Sequence, residues 1–446
     1  MFRKYLHSLQ EWKTSPYRKP LILNGIRQVG KTWLLKEFGK QEYRNTVYVN
    51  FEENPELGEF FERTKDISRI LENLSLALGE PIEKESTLII FDEIQLCPNA
   101  LTALKYFAEN GPEYHVTAAG SLLGVLLAKP ASFPVGKVDF LTIHPMTFTE
   151  FLYADGAENL VRYLDSLREI SQIPEIFFHQ LSEKLKVYFV TGGMPEAVFV
   201  WTKTQNRDLV DKTLNNILTA YERDFAKHMM PKDFPRASLI WNSIPSQLSR
   251  ENKKFLYRAV KEGARAREYE DALTWLVDAG LVQKIFRSSQ PGLPISAYDD
   301  LSAFKLYLSD VGLLRSLAGL HPSVFSDGDR LFREFRGSLT ENYILQSLLT
   351  LYPGVPRYWA IDNPHYEVDF LIQHENLVLP VEVKSGEHVT GKSLRKFSEK
   401  YSDTVPLKIR FSLQNLTLDS NTLNIPLFMA DYTRKFVDIA LKELQD

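Results

Sequence analysis

The sequence predicts an α/β protein whose N-terminal part is a parallel sheet covered by helices on both faces. Two observations predict it. Short apolar or β-branched runs alternate with helical patterns from Leu21 to Ile143, which implies parallel strands joined by crossover helices. The first run, Leu21 to Leu23, stops at a glycine and gives way to a helical pattern after Gly25-Ile26-Arg27-Gln28-Val29-Gly30-Lys31-Thr32-Trp33. A tight glycine loop therefore joins strand to helix, at the strand edge where such sheets bind ligands.

The chain has 446 residues, enough for about two to four domains. Lys plus Arg (53) nearly balances Asp plus Glu (57), so any contact with DNA must come from local patches. The single cysteine, Cys97, excludes an internal disulfide and a C-x-x-C zinc cluster. The first residues lack an apolar run of signal-peptide length, and no run reaches the about 18 residues a membrane span needs. The expectation is a cytoplasmic protein with no membrane partner.

Taken in order, Tyr5, Leu6, Leu9 and Trp12 mark a short amphipathic helix before the first strand. The loop that follows is G-x-x-x-x-G-K-T in the context that gives it meaning. Gly25 and Gly30 let successive amides point at phosphate oxygens, and the helix near Lys31 adds its positive end. Lys31 would reach the β- and γ-phosphates of ATP, and the Thr32 hydroxyl would ligate magnesium. Thr46 to Phe51 reads as a second strand, and Thr87 to Phe91 as a buried one ending in Asp92 and Glu93. Asp92 would hold magnesium through water, and Glu93 would polarise the water that attacks the γ-phosphate; the alternative is a solvated loop start. His115 to Ala119 ends at Ser121, which would either sense phosphate or cap the next helix. Lys137 to Ile143 reads as a further strand.

These stretches, with Ala119-Gly-Ser121, His144-Pro-Met-Thr-Phe-Thr-Glu-Phe151, Gly192-Gly-Met-Pro-Glu196, Leu306-Tyr-Leu-Ser-Asp-Val-Gly312 and Gly337-Ser-Leu-Thr-Glu-Asn342, resemble prokaryotic AAA-type P-loop ATPases with a long C-terminal region of unassigned function. The resemblance spans almost the whole chain. It implies a P-loop NTPase with an AAA-like sheet and a helical lid. It also implies that Pro195, after Met194, packs on adenine in the manner of related lids; an ordinary helix break is the alternative. One departure concerns Lys137, which follows Gly136 where the family usually has arginine. If that position stabilises transition-state charge, lysine lacks the planar fork.

Farther on, three short helices between Pro235 and Gly280, then two apolar pairs (Leu281-Val282, Ile285-Phe286), suggest a winged helix. Arg250, Lys253, Lys254, Arg258, Lys261, Arg265 and Arg267 offer a basic face for DNA phosphates, while Glu268, Glu270 and Asp271 oppose tight base reading. Arg223, flanked by acids, reads as an ion-pair partner sooner than as a finger.

The last third places a helix containing Glu341 before strands ending in Asp369 and in Glu382-x-Lys384. This spacing is similar to the PD-(D/E)XK nuclease core, a restriction-endonuclease-like fold. Glu341, Asp369 and Glu382 would supply oxygen ligands for magnesium, and Lys384 would orient water. The alternative is a hairpin with solvated acids and a surface ion pair. The expected organisation is a P-loop core (1–155), a helical lid (156–230), a winged-helix-like segment (231–318) and a nuclease-like domain (319–446). Two functions follow: an ATPase coupled to a DNA-acting nuclease-like domain, or a nucleotide switch whose nuclease-like domain only binds.

Overall fold

The computed structural model describes residues 1–120, 134, 136–250, 252–325, 333–362, 365–386, 391–402 and 404–445. The chain falls into two units, one formed by Phe2–His144 with Asp278–Leu281, the other by Met1, Pro145–Val277 and Val282–Asp446.

In the first unit, α1 (Tyr5–Thr14) precedes β1 (Leu21–Asn24), α2 (Lys31–Glu42) and β2 (Asn45–Asn50). Then come α3 (Glu59–Arg63), α4 (Ile67–Leu78), β3 (Thr87–Asp92), α5 (Pro98–Asn110), β4 (His115–Ala119) and β5 (Asp139–Thr142). The strands form one sheet in the order β2-β3-β4-β1-β5, every neighbouring pair parallel. Alternate residues of a strand share a face. Thus Ile22, Val47, Val49, Ile89, Phe91, Val116 and Ala118 join one core with Ile70 and Leu74 of α4 and Leu104 and Phe107 of α5. Phe91 contacts the rings of Phe51, Phe61 and Phe107 with centroids 5.5–6.0 Å apart. Truncating it to alanine would cost ~3–5 kcal/mol. On the other face α2 packs on β2, β3 and β4. Because the sheet is parallel, the loop after β1 and the acids after β3 share its C-terminal edge.

The second unit begins with α6 (Phe148–Ala154), α7 (Glu158–Ser166), α8 (Glu175–Thr191), α9 (Pro195–Thr204) and α10 (Arg207–His228). Thr147 and Glu150 cap α6 reciprocally. Gly192 and Gly193 form a close-packed junction between α8 and α9. A Cβ on Gly192 would lie 2.1 Å from Asp310 Oδ1, and the Gly193 amide donates to Asp310 Oδ2 at 2.6 Å.

Next come α11 (Phe234–Leu248), α12 (Tyr257–Val260), α13 (Ala266–Asp278) and an antiparallel pair, β6 (Val282–Ser288) with β7 (Asp299–Leu308). They are followed by α14 (Val311–Leu317), α15 (Arg333–Leu351), β8 (Arg357–Asp362), β9 (His365–His374), β10 (Leu377–Val383), α16 (Lys392–Lys400), β11 (Lys408–Ser412), β12 (Thr417–Asp419), β13 (Thr422–Pro426) and α17 (Thr433–Glu443). Helix α16 lays Leu394 and Phe397 against Trp359, Val368 and Leu371.

Two expectations change. The β6–β7 pair is not a separate wing: it continues the C-terminal strands in one sheet, β12-β13-β11-β10-β9-β8-β6-β7. Contacts also group the three C-terminal segments into one unit, and they divide the chain at His144/Pro145, ahead of the expected boundary at 155.

Candidate nucleotide site and C-terminal carboxylate cluster

The loop after β1 needs its glycines. Gly25 has φ +144°, and a Cβ there would lie 2.3 Å from the Ile143 carbonyl oxygen. Gly30, at φ +91°, turns the chain into α2, whose first residue is Lys31. Ile26 and Val29 are buried, so they contribute to the loop chiefly through backbone, whereas Gln28 and Trp33 are exposed and Arg27 is half-buried. Arg3, buried, donates to the carbonyls of Val29 (3.3 Å) and His144 (2.7 Å) and braces the loop from behind.

Lys31 is also buried. Its ammonium donates to the carbonyls of Gly25 (2.7 Å) and Ile26 (3.0 Å), folded back onto the loop it would leave for a phosphate. Burial pushes its pKa down to about 8 against the attraction of Glu93 and Asp92.

Asp92, 4% exposed, ends β3 opposite the loop. Its Oδ2 accepts from the Thr32 hydroxyl at 2.7 Å and from the Tyr48 hydroxyl at 2.9 Å; its Oδ1 accepts from the Glu93 amide at 3.0 Å. Glu93 adopts φ +49°, and its carboxylate accepts from Gln95 Nε2. Thr32 and Asp92 form a pair of hard oxygen donors at a helix N-terminus, a set that suits magnesium.

The structure thus brings Gly25–Trp33, Asp92 and Glu93 to one edge of one sheet. Ser121 lies outside the described residues. Lys137 does not join them, which corrects its expected catalytic place within the chain. It precedes β5, whose first residue Asp139 pairs with Leu21 at the start of β1. It therefore lies toward the N-terminal edge of the sheet, away from the loop, and pairs with Glu109 of α5 at 2.9 Å. Pro195 belongs to the other unit, where it opens α9 directly after the glycine junction. Sequence reasoning missed Tyr48 and Arg3: one arrives by strand pairing, the other from far along the chain. Alternation of β2 places Tyr48 and Asn50 on one face, which was the available signal for Tyr48.

The C-terminal residues also converge. The antiparallel register of β9 and β10, with Val381 opposite Phe370, sets Glu382 beside Asp369. The Val383 amide donates to Asp369 Oδ2 at 2.7 Å. Burial, then the charge of Glu341, raises the Asp369 carboxyl well above the usual carboxylate range. Each acid faces a cation or donor. Glu341 pairs with Lys253 and accepts from the Tyr307 hydroxyl at 3.1 Å. Glu367 pairs with Lys305 of β7. Glu382 lies 3.1 Å from Lys384 Nζ and 3.4 Å from Arg410 Nε. Burial opposes ionisation of Glu341, but Lys253 and Lys305 outweigh it and hold its pKa below the ordinary value. Lys253 therefore turns inward, which removes it from the expected basic face; Arg258, Lys261, Arg265 and Arg267 remain exposed. Among the described residues no group of three or more acids, histidines or cysteines is disposed to hold a metal ion. Lys253, Lys305, Tyr307 and Arg410 carry no local motif, so spacing alone did not reveal them as partners.

Comparison with known proteins matches residues 17–152 to an AAA domain. Residues 182–324 and 336–428 match two domains of unknown function, DUF8612 and DUF4143. An uncharacterised protein of Haemophilus influenzae is 24% identical over 174 residues, 36% of this chain; the match spans only 40% of that protein. Among solved structures, a Walker-type ATPase of Pyrococcus abyssi aligns with TM-score 0.46 and 15% identity, over 71% of this chain and 95% of that one. The Aeropyrum pernix Orc1 protein in complex with DNA gives 0.28 and 14%, over 72% and 93%. The Thermotoga maritima RuvB Holliday junction branch migration motor gives 0.30 and 16%, over 64% and 88%. No described helix is long and apolar enough to cross a membrane. The family match and the parallel sheet agree: residues 17–152 are an AAA-type domain with the α/β fold of P-loop NTPases.

Proposed function

We propose that the chain binds ATP with magnesium at Gly25–Trp33 and hydrolyses it. The observation that supports this most is the Thr32–Asp92 hydrogen bond, 2.7 Å, at the start of the helix that follows the glycine loop. Loop amides would take the phosphate oxygens, and Lys31 would exchange two carbonyls for the β- and γ-phosphates. Thr32 and Asp92 would hold magnesium, which offsets charge on the phosphates. Glu93, on the same edge, would orient the attacking water. Ser121 keeps its proposed role as a phosphate sensor, and Pro195 as an adenine contact on a helical lid (156–230). The test is magnesium-dependent ATP hydrolysis by wild type, Lys31→Ala and Glu93→Gln. Wild-type rates from the Lys31 variant would overturn the proposal.

For the C-terminal part, the pairing of Glu341 with Lys253 and of Glu367 with Lys305 favours the non-catalytic reading. A divalent ion at Glu341, Asp369 and Glu382 would have to displace ammonium groups already neutralising these acids. We therefore read the winged-helix-like (231–318) and nuclease-like (319–446) segments as one binding module governed by nucleotide state. DNA is its proposed partner through the exposed arginines and lysine of α12, α13 and the turn between them. Incubating DNA of several forms with ATP and magnesium, for wild type and Glu382→Ala, distinguishes the readings. Cleavage lost in the variant would restore the nuclease reading.

A further inference from the structure

Asp92 is more fully engaged than a motif reading implies. An ionised carboxylate offers about four acceptor sites, two on each oxygen. Thr32 and Tyr48 take both on Oδ2, and the Glu93 amide takes one on Oδ1. One acceptor, on Oδ1, is left for water bound to a cation.

The phenol that closes Oδ2 is itself well held. Tyr48 comes from β2, whose register with β3 sets Tyr48 opposite Ile90 and Asn50 opposite Asp92. The Asn50 side-chain amide donates to the Tyr48 oxygen at 3.4 Å, turning the phenol proton toward Asp92. The ring is fixed by Lys36 of α2, whose ammonium sits 3.5 Å from its centroid. Burial, then the charge of Asp92, raises the phenol's ionisation well above its usual range, so it donates at neutral pH.

We propose that Tyr48 is a positioning residue for the magnesium site: its hydroxyl fixes Asp92 so that a single acceptor on Oδ1 faces the hydrated cation. The inference rests on the ATP–magnesium reading above. It locates its effect on the cation and not on the nucleotide, because no recorded Tyr48 contact reaches the loop backbone that would hold phosphates.

The test uses the full chain with a non-hydrolysable ATP analogue and manganese as the spectroscopic probe. Tyr48→Phe keeps the ring over Lys36 and removes only the donor. Analogue affinity in EDTA should stay within about twofold of wild type, while manganese affinity of the protein–analogue complex, read by electron paramagnetic resonance, should fall about tenfold. Unchanged manganese affinity overturns the proposal. So does an equal fall in both affinities, which marks Tyr48 as merely structural. If the Phe variant does not fold, Tyr48→Met supplies the same comparison. Asp92→Asn separates the two levels: if it keeps wild-type manganese affinity, or if wild type binds no analogue in EDTA, the ATP–magnesium reading fails. If only Tyr48→Phe keeps wild-type manganese affinity, the Tyr48 proposal alone fails.

Discussion

Lys253 reaches from the connection after α11 to form an ion pair with Glu341 of α15, with side chains only 16% and 5% exposed. Taking both charges out of water is costly, and the pair is tolerable because each neutralises the other while Tyr307 adds a hydrogen bond. Removing one partner leaves the other charge buried. Lys253→Met should therefore destabilise the C-terminal unit by ~3–5 kcal/mol. Adding Glu341→Gln should recover most of that loss. Urea unfolding of the two single variants and the double variant measures the coupling, and strictly additive losses would show that the pair contributes little.

The nucleotide site was legible because its parts are contiguous. Strand, glycine loop and helix start are consecutive residues, and Asp92-Glu93 closes an unbroken apolar run. The edge to which Lys137 belongs was also readable: a residue ahead of a parallel strand lies opposite the C-terminal edge where ligands bind. What spacing does not encode is long-range pairing. Tyr48 reaches Asp92 through the β2–β3 register, and Lys253 and Lys305 arrive from 88 and 62 positions away. The lysine partners of the C-terminal acids therefore looked like surface charge, and the acids themselves like an open metal site. The joining of β6–β7 to the C-terminal sheet was hidden for the same reason, since it depends on one pairing, Arg287 with Tyr358.

Lys31 gives the nucleotide site a pH signature. Its pKa in the ligand-free protein is about 8, lowered by burial. Bound phosphates favour the ammonium form and raise that pKa, so binding is fully supported below about pH 8 and takes up a proton above it. Analogue affinity in EDTA should be flat from about pH 6.5 to 7.5, then fall toward tenfold per pH unit above about 8.5. Titrations in buffers of different ionisation enthalpy would register the proton uptake. Flat affinity up to about pH 9.5 would contradict the assigned role of Lys31.

Asp369 tests the division of labour between the units. It lies in the C-terminal cluster, while the loop, Thr32 and Asp92 belong to the other unit. Asp369→Asn should leave the basal ATPase rate within about twofold of wild type. Because burial disfavours its charge, the neutral amide should also be tolerated, within ~1 kcal/mol in urea unfolding. A collapse of ATPase activity without loss of stability would mean that the cluster acts directly on hydrolysis.

Gly280 ends the chain's passage through α13 with φ +73°, and a Cβ there would lie 3.2 Å from Cγ2 of Ile26 in the glycine loop. Two effects of Gly280→Ala can be separated. The left-handed backbone costs an alanine ~1–2 kcal/mol wherever it occurs. The added methyl also presses on Ile26, whose carbonyl holds the Lys31 ammonium. Gly79 in the same unit has φ +68° and open space around its Cβ position, so Gly79→Ala carries the backbone cost alone. Both variants should lose similar stability in thermal unfolding, while only Gly280→Ala should weaken analogue binding, by about three- to tenfold. Equal affinities would show that the loop accommodates the methyl. Weaker binding from Gly280→Ala alone would establish that the turn joining α13 to β6 bears directly on the phosphate loop. Nucleotide state then has a short covalent route into the segment that carries the exposed arginines.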